Sequence, residues 1–170
     1  MGSRIEHRGE FDGSLADVFA AVAGEEALRA RLAEQGGDDA KLLTYTAEAE
    51  ADSVRYELQH GIKAAKLPQA VRALHKGDII VNRAQTWKRS GDEYTGRSDV
   101  SVGGVPGEIS ASTYLTRGAK DGKVLLRTSG EVVVRIPLFG GRIEEFVSEQ
   151  VVNLLRNEDE FTAQWLAEHA

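Results

Sequence analysis

The sequence predicts an α+β fold in which a curved antiparallel sheet of about seven strands wraps around a long C-terminal helix, with two short helices after the first strand. Segments that alternate with a period of two are separated by short glycine-bearing breaks, so neighbouring strands should pair antiparallel. Residues 15–35 and 142–169 instead show helical spacing of apolar residues. The second of these segments is the only one long enough to cover a whole sheet face.

The N-terminal segment contains the first strand and the helix pair. Charged and uncharged residues alternate from residue 4 to residue 11, which is typical of a strand with one solvated face. Ser14, with Asp17 three residues later, resembles a helix N-cap with an acidic first turn. Gly24 divides the helical stretch that follows, and the second helix should end at Gly36-Gly37.

Six further strands precede the last helix. They are predicted at 41–48, 53–60, 78–88, 93–102, 109–116 and 123–136, with a short helical segment at 67–74 in which Pro68 occupies the first turn. Pro137 ends the sheet, and Gly140-Gly141 turns the chain. The final helix, at roughly 27 residues, would be about 40 Å long.

Length and composition limit the classes of protein that fit. A chain of 170 residues is expected to form one domain spanning 1–170. It has no cysteine, which excludes disulfides, zinc–thiolate sites, iron–sulfur clusters and thiol nucleophiles. With 21 basic and 27 acidic residues the net charge is −6, which argues against nucleic acid as a partner.

The distribution of apolar residues argues against a membrane protein. No apolar run reaches the roughly 18 residues of a membrane span, and the first residues lack the core of a signal peptide. We therefore expect no integral membrane association and a cytoplasmic location. The sequence says nothing about the oligomeric state.

Several motifs resemble a known superfamily. They are Arg29-Ala30-Arg31-Leu32 with Gly36-Gly37, Leu67-Pro68, Thr86-Trp87, and the segment VVVRIPLFGGRIE at 132–144. Together with the element order, they resemble the helix-grip fold of the START, polyketide-cyclase and pollen-allergen (SRPBCC) superfamily, and most closely an uncharacterised bacterial family within it. The resemblance implies a helix-grip fold with a cavity between the sheet and the long helix, but no agreed biochemical role.

The chain contains no recognisable catalytic or metal-binding motif. Its four histidines lack the i, i+4 spacing of a metal-binding helix, although a cluster of His7 and His60 in three dimensions stays open. Neither a nucleophile elbow nor a phosphate-binding loop is present. The glycines at 103–107 fit a strand connection, and Gly140-Gly141 fits a tight turn better than an anion site. We predict no catalytic residue, no metal ligand and no cofactor.

Polar and small residues recur at apolar positions of the strands and the long helix. An unsatisfied polar group in a packed core would cost about 1–3 kcal/mol, whereas one facing a cavity costs little. Ordinary sheet packing is the alternative, and the inward face of the fourth strand stays open because Arg83, Gln85 and Trp87 share the parity opposite to Asn82. The candidate ligand-binding residues are His7, Tyr45, Tyr56, Asn82, Ser98, Thr128, Gly130, Phe146, Gln150, Leu154 and Glu158.

Three functions fit these observations. The preferred one is a carrier or sensor that holds a small hydrophobic molecule or lipid between the sheet and the C-terminal helix. A cyclase or aromatase would use the same pocket with one or two acid–base groups, for which His7, Tyr45, Tyr56 and Glu158 are the candidates. A protein-interaction module would instead have a filled core and exposed apolar residues on 67–74.

Overall fold

The computed structural model describes residues 2–35, 37, 39–67, 69–74 and 77–169, and the side chains of all of these except 70, 71 and 74. The predictions that concern Gly36, Pro68 and His75 lie outside the described residues.

The predicted fold class is confirmed. The seven strands form a single antiparallel sheet in the order β1-β7-β6-β5-β4-β3-β2, and a long helix follows the last strand. The elements are β1 (Ser3–Asp12), α1 (Leu15–Ala23), α2 (Glu25–Gln35), β2 (Lys41–Glu48), β3 (Ser53–Ile62), a 3-10 turn (Ala64–Lys66), α3 (Gln69–Leu74), β4 (Ile79–Ser90), β5 (Glu93–Val102), β6 (Gly107–Arg117), β7 (Lys123–Val134) and α4 (Gly140–His169).

Local signals in the sequence account for the element boundaries. The Ser14 hydroxyl accepts a hydrogen bond from the Asp17 backbone N–H at 3.1 Å, which is the predicted cap of α1. At the start of α4, the Glu144 carboxylate accepts a hydrogen bond from the Val134 backbone N–H at 2.8 Å. This contact joins the end of β7 to the first turns of α4 and so fixes where the helix begins relative to the sheet.

Buried apolar side chains of the sheet and the helices pack together in two regions. One lies under α1 and α2 and includes Phe11, Val18, Leu28, Leu58 and Trp87. The other lies along α4, where Ile5, Ile79, Ile109, Val132 and Ile143 are buried. The cavity described below adjoins the second region.

Gly130 lies where two strands approach each other closely. It pairs with Ala111, and a Cβ atom at position 130 would overlap the Ser110 carbonyl oxygen and lie 2.7 Å from the Ala111 Cα. Because both obstacles are on or next to backbone, neither can move without distorting the sheet. Gly130 therefore has a structural role in the β6–β7 pair.

We expect Gly130→Ala to lower the free energy of unfolding by about 1–3 kcal/mol, as overpacking does. Gly141→Ala is the matched control, because a Cβ there meets nothing within 4 Å and its helical position favours alanine. Urea denaturation followed by circular dichroism measures both. Equal stability of Gly130→Ala and the wild type would contradict the close approach of Ser110 and Ala111 to Gly130.

Candidate ligand-binding cavity

A cavity of about 420 Å³ lies between α4 and the inner face of the sheet. Most of its lining is aliphatic and comes from both layers. The aliphatic residues that line it are Ile5, Ile62, Leu67, Ile79, Val81, Val100, Val102, Val105, Ile109, Ala111, Val132, Val133, Val134, Ile143, Val147, Val151, Leu154 and Leu155. Such a surface would favour an apolar occupant, because contact removes it from water.

The cavity exists because the helix covers the sheet unevenly. The strands against which α4 packs are mainly β1 and β7, at one side of the sheet. Small inner-face residues in the middle of the sheet, Ser98, Ala111, Thr113 and Thr128, do not reach far enough to fill the space that remains. Uneven cover and short side chains together leave the space unoccupied by protein atoms.

The cavity is partly open to solvent. Its exposed lining residues are Ile62 and Lys66, at and after the end of β3, Glu108 on β6, and Gln150, Asn153 and Asn157 on α4. Five of these six lie near the end of β3 or on α4.

A buried ion cluster lies at the Asn157 end of the cavity. The Arg83 guanidinium donates through Nη1 to both carboxylate oxygens of Glu158, at 2.8 and 3.1 Å. The Arg31 Nη2 atom lies 3.5 Å from the same carboxylate. Arg31 is 5% exposed and Glu158 is 7% exposed, so solvent screens these charges little. Two guanidinium groups and one carboxylate leave this cluster with one excess positive charge.

The cluster changes the protonation of its members. Burial raises the pKa of Glu158, but the charges of Arg31 and Arg83 and the Arg83 hydrogen bond outweigh that effect and lower the pKa to about 2. His60 lies next to the cluster on β3, and burial, followed by the charge of Arg83, lowers its pKa to about 4. At neutral pH, Glu158 is therefore ionised and His60 is neutral.

Three polar atoms in this region are buried without a hydrogen-bond partner in the described parts of the chain. They are the His60 Nε2, the Gln35 Oε1 and the Arg31 Nε. The Gln35 amide nitrogen, by contrast, donates to the Asn157 carbonyl oxygen at 3.1 Å. His60, Gln35 and Arg83 all line the cavity, so this end combines hydrogen-bonding capacity with positive charge.

The structure places about half of the predicted site residues at the cavity. Ser98 and Thr128 line it from the sheet, and Phe146, Gln150 and Leu154 line it from α4. Gln150 is one of the exposed lining residues. Glu158 lies in the ion cluster next to the cavity, where its carboxylate is already paired.

Three of the predicted site residues form hydrogen bonds outside the cavity: His7, Tyr45 and Tyr56. His7 Nε2 lies 2.6 Å from the Asp159 carboxylate, which ties β1 to α4. The Tyr45 hydroxyl donates to the Ala23 carbonyl oxygen at 2.8 Å. The Tyr56 hydroxyl accepts a hydrogen bond from the Trp87 indole at 3.2 Å. None of the three lines the cavity, because α1 and α2 fill the part of the inner face where the tyrosines lie.

Gly130 also lies outside the cavity lining, because it is held against Ala111 in the sheet. The expectation for Asn82 is corrected by the orientation of β4. Trp87 and Gln85 are buried on the inner face, and Arg83 shares their parity, so Asn82 points to the opposite face. There it lines an outer groove beside charged and polar residues.

Arg83 and His60 line the cavity but are not among the predicted ligand-binding residues. Both could have been found from strand parity. Alternate residues of a strand lie on the same face, and a large aromatic residue such as Trp87 is normally buried, so Arg83 on the same strand also faces inward. In the same way, the apolar Leu58 places His60 on the inner face of β3.

Features that would favour a metal-dependent enzyme, a protein-interaction module or a membrane protein concern other parts of the chain. Among the described residues, no group of three or more histidine and acidic residues could hold a metal ion. Leu67 is buried, while the side chains of Val71 and Leu74 lie outside the described set. Within the described ranges, no helix is both long enough and apolar enough to span a membrane.

The family described as "Protein of unknown function (DUF2505)" matches residues 6–166 of the chain. Uncharacterised proteins from Mycobacterium tuberculosis (strain ATCC 25618 / H37Rv) and Mycobacterium bovis (strain ATCC BAA-935 / AF2122/97) are each 26% identical to it over 173 aligned positions. These alignments cover 98% of this chain and 98% of each relative.

Solved structures with the same fold include proteins of different kinds. The Thermus thermophilus protein TTHA0849 is 13% identical with a TM-score of 0.57, covering 99% of this chain and 100% of that one. Norcoclaurine synthase from Thalictrum flavum, solved in complex with dopamine and hydroxybenzaldehyde, is 12% identical with a TM-score of 0.57, and the match covers 100% of this chain and 89% of that one. Ara h 8.0201 is 11% identical with a TM-score of 0.58, and the match covers 99% of this chain and 100% of that one. At these identities, the likeness shows the fold alone.

Proposed function

The chain belongs to the DUF2505 family, and we propose that it is a carrier or sensor that binds a small, mostly apolar molecule or lipid between the sheet and α4. The observation that carries this proposal is the aliphatic lining of the 420 Å³ cavity. Pockets for small molecules are typically concave, mostly apolar and supplied with a few polar groups, and this one has that composition.

The comparison structures support the proposal at the level of the fold. Norcoclaurine synthase, which shares the fold, was solved in complex with two small organic molecules. A fold that accommodates such molecules in one protein can do so in another, although the ligand must be argued from each site separately.

Binding without catalysis fits the polar groups better than a cyclase does. A general base works best when its pKa lies near the working pH, and the pKa of His60 is about 4. The Glu158 carboxylate is already paired with two arginines. His7 is paired with Asp159, so none of these three groups is a ready acid or base at the cavity.

Filling the cavity should weaken the binding of a hydrophobic probe. Ala111 lines the cavity from β6, and Ala111→Phe would project a ring into the open space. We expect the dissociation constant for the neutral fluorescent probe aminoanthracene to rise at least about tenfold, since the lost apolar contact is worth about 1.4 kcal/mol or more. Fluorescence titration measures the change.

The matched control is Ser112→Phe, the next residue along β6, which lies in a groove on the outer face. It should leave the affinity for aminoanthracene unchanged. Val151→Phe fills the cavity from α4 and covers the case in which Ala111→Phe does not fold. Unchanged affinity in a folded cavity-filling variant would overturn the proposed site.

A further inference from the structure

We propose that the ligand is a carboxylate with an apolar tail, whose acid group binds at the end of the cavity that Arg83 and His60 line. The inference rests on the proposed function and adds the chemical class of the ligand.

The ion cluster beside the cavity carries unbalanced charge. The cluster of Arg31, Arg83 and Glu158 has one excess positive charge where solvent is largely excluded. An uncompensated buried charge is unfavourable, and one carboxylate would neutralise this one. A doubly charged phosphate would exceed the charge available, so a single acid group fits better.

The cavity end also has hydrogen-bond donors without a protein partner. Polar atoms buried without a partner are rare in folded proteins, yet the His60 Nε2 lines the cavity as one of them. The neutral His60 ring donates from Nε2 in one of its tautomers, whereas the unpartnered Gln35 Oε1 is an acceptor and would not bind a carboxylate. A guanidinium has five N–H donors, and the Glu158 contacts of Arg83 use Nη1 only. A ligand carboxylate would accept from these donors.

The rest of the cavity is long and mostly apolar. Along α4 the lining runs from Ile143 to Asn157, a distance of about 21 Å at 1.5 Å per residue. Beyond the polar end, the residues facing this length are mainly valine, leucine and isoleucine. An elongated molecule with one acidic end and one apolar tail matches this distribution.

The test compares ligands that differ only in charge. Dodecanoate and dodecanol compete with aminoanthracene at pH 7, and we expect dodecanoate to bind roughly tenfold or more tightly, as charge-assisted hydrogen bonds would give. Equal affinity, or tighter binding of dodecanol, would overturn this inference while leaving the proposed function in place. If the probe itself does not bind to the wild type, the proposed function fails and this inference fails with it.

Variants separate a ligand role from a purely structural ion pair. Arg83→Gln keeps an N–H donor for Glu158 but brings the cluster to neutrality, so the preference for dodecanoate should fall to near one. Arg97→Gln is the matched control, because Arg97 pairs with Asp99 at an exposed position; the preference should persist. A folded Arg83→Gln variant with the wild-type preference would contradict the inference.

His60→Leu provides a second test if Arg83→Gln does not fold. It removes an unpartnered polar atom, so the fold should tolerate it. We expect dodecanoate to bind several-fold more weakly and dodecanol to bind as before, because only the acid group contacts position 60. An unchanged ratio of the two affinities would count against the assigned end of the cavity.

Discussion

Replacing Glu158 with leucine is expected to lower the free energy of unfolding by about 3–5 kcal/mol. The Glu158 carboxylate compensates Arg83 at 2.8 Å and Arg31 at 3.5 Å, and neither guanidinium is well exposed. Without it, two buried positive charges face each other with no anion between them. Urea or thermal denaturation measures the loss.

The control for this variant is Glu160→Leu, two residues further along α4. Glu160 is exposed, so its replacement should change stability by no more than about 0.5 kcal/mol. Glu158→Leu with a stability within that same range would show that the buried cluster contributes nothing to the fold and that its description as an ion cluster is wrong.

Protonation of His60 at acid pH should lower the free energy of unfolding. Its pKa is about 4 in the folded state, against 6.5 in an unfolded chain, so the unfolded state binds more protons between these values. The stability that neutral His60 confers is present above pH 6.5 and is lost as the pH falls toward 4. The shift corresponds to about 3 kcal/mol over this range. Chemical denaturation at a series of pH values measures the slope.

His60→Leu is the reference for that experiment, because it removes the titrating group and leaves the others in place. Its stability should be nearly flat where the wild type loses stability. Burial raises the pKa of Asp159, which acts in the opposite sense in the acid range, so the difference between the two proteins is the quantity to compare. If the free energy of unfolding changed with pH in the same way in both proteins, the conclusion that His60 is buried and neutral would be wrong.

Below pH 4.5 the loss of stability should continue through Glu158. Its folded pKa of about 2 lies below the unfolded value, so the stability it confers is present above 4.5 and is lost as the pH falls toward 2. Both groups therefore predict a protein that becomes less stable in acid.

The fold could be predicted because its signals are local. Alternation in the strands, the glycine-bearing breaks and the helical spacing after Gly141 are each visible within about a dozen residues. Short connections then limit the strand pairing to neighbours, and only β1 has a distant partner, β7. The pairing of neighbouring strands thus follows from local patterns, whereas no local signal predicts the pairing of β1 with β7.

The site could be predicted only in part, because its partners are far apart in the chain. Arg83 and Glu158 are 75 positions apart, and nothing near Arg83 in the sequence shows that the folded protein provides a buried carboxylate to pair with it. Without that partner, a charged residue is normally assigned to the surface. The sequence therefore leaves the orientation of β4 open, and the structure shows that the candidate residue Asn82 lies on the outer face.

The predicted tyrosines illustrate a second limit. Strand alternation places Tyr45 and Tyr56 on the same inner face as the cavity lining. It does not tell which part of that face is already covered. The helix pair α1–α2 covers the tyrosine end, where Tyr45 and Tyr56 pack as parallel rings 6.0 Å apart, and the cavity lies further along the sheet.

Nuclear Overhauser contacts between a bound ligand and protein methyl groups would show whether the ligand lies between the sheet and α4. The ligand is whichever of dodecanoate and dodecanol binds more tightly, with the protein methyl groups isotopically labelled. We expect contacts from the alkyl chain to Val100 and Val147, which line the cavity from opposite layers. Contacts confined to the exposed Leu43 or Leu138, with none to either valine, would contradict it.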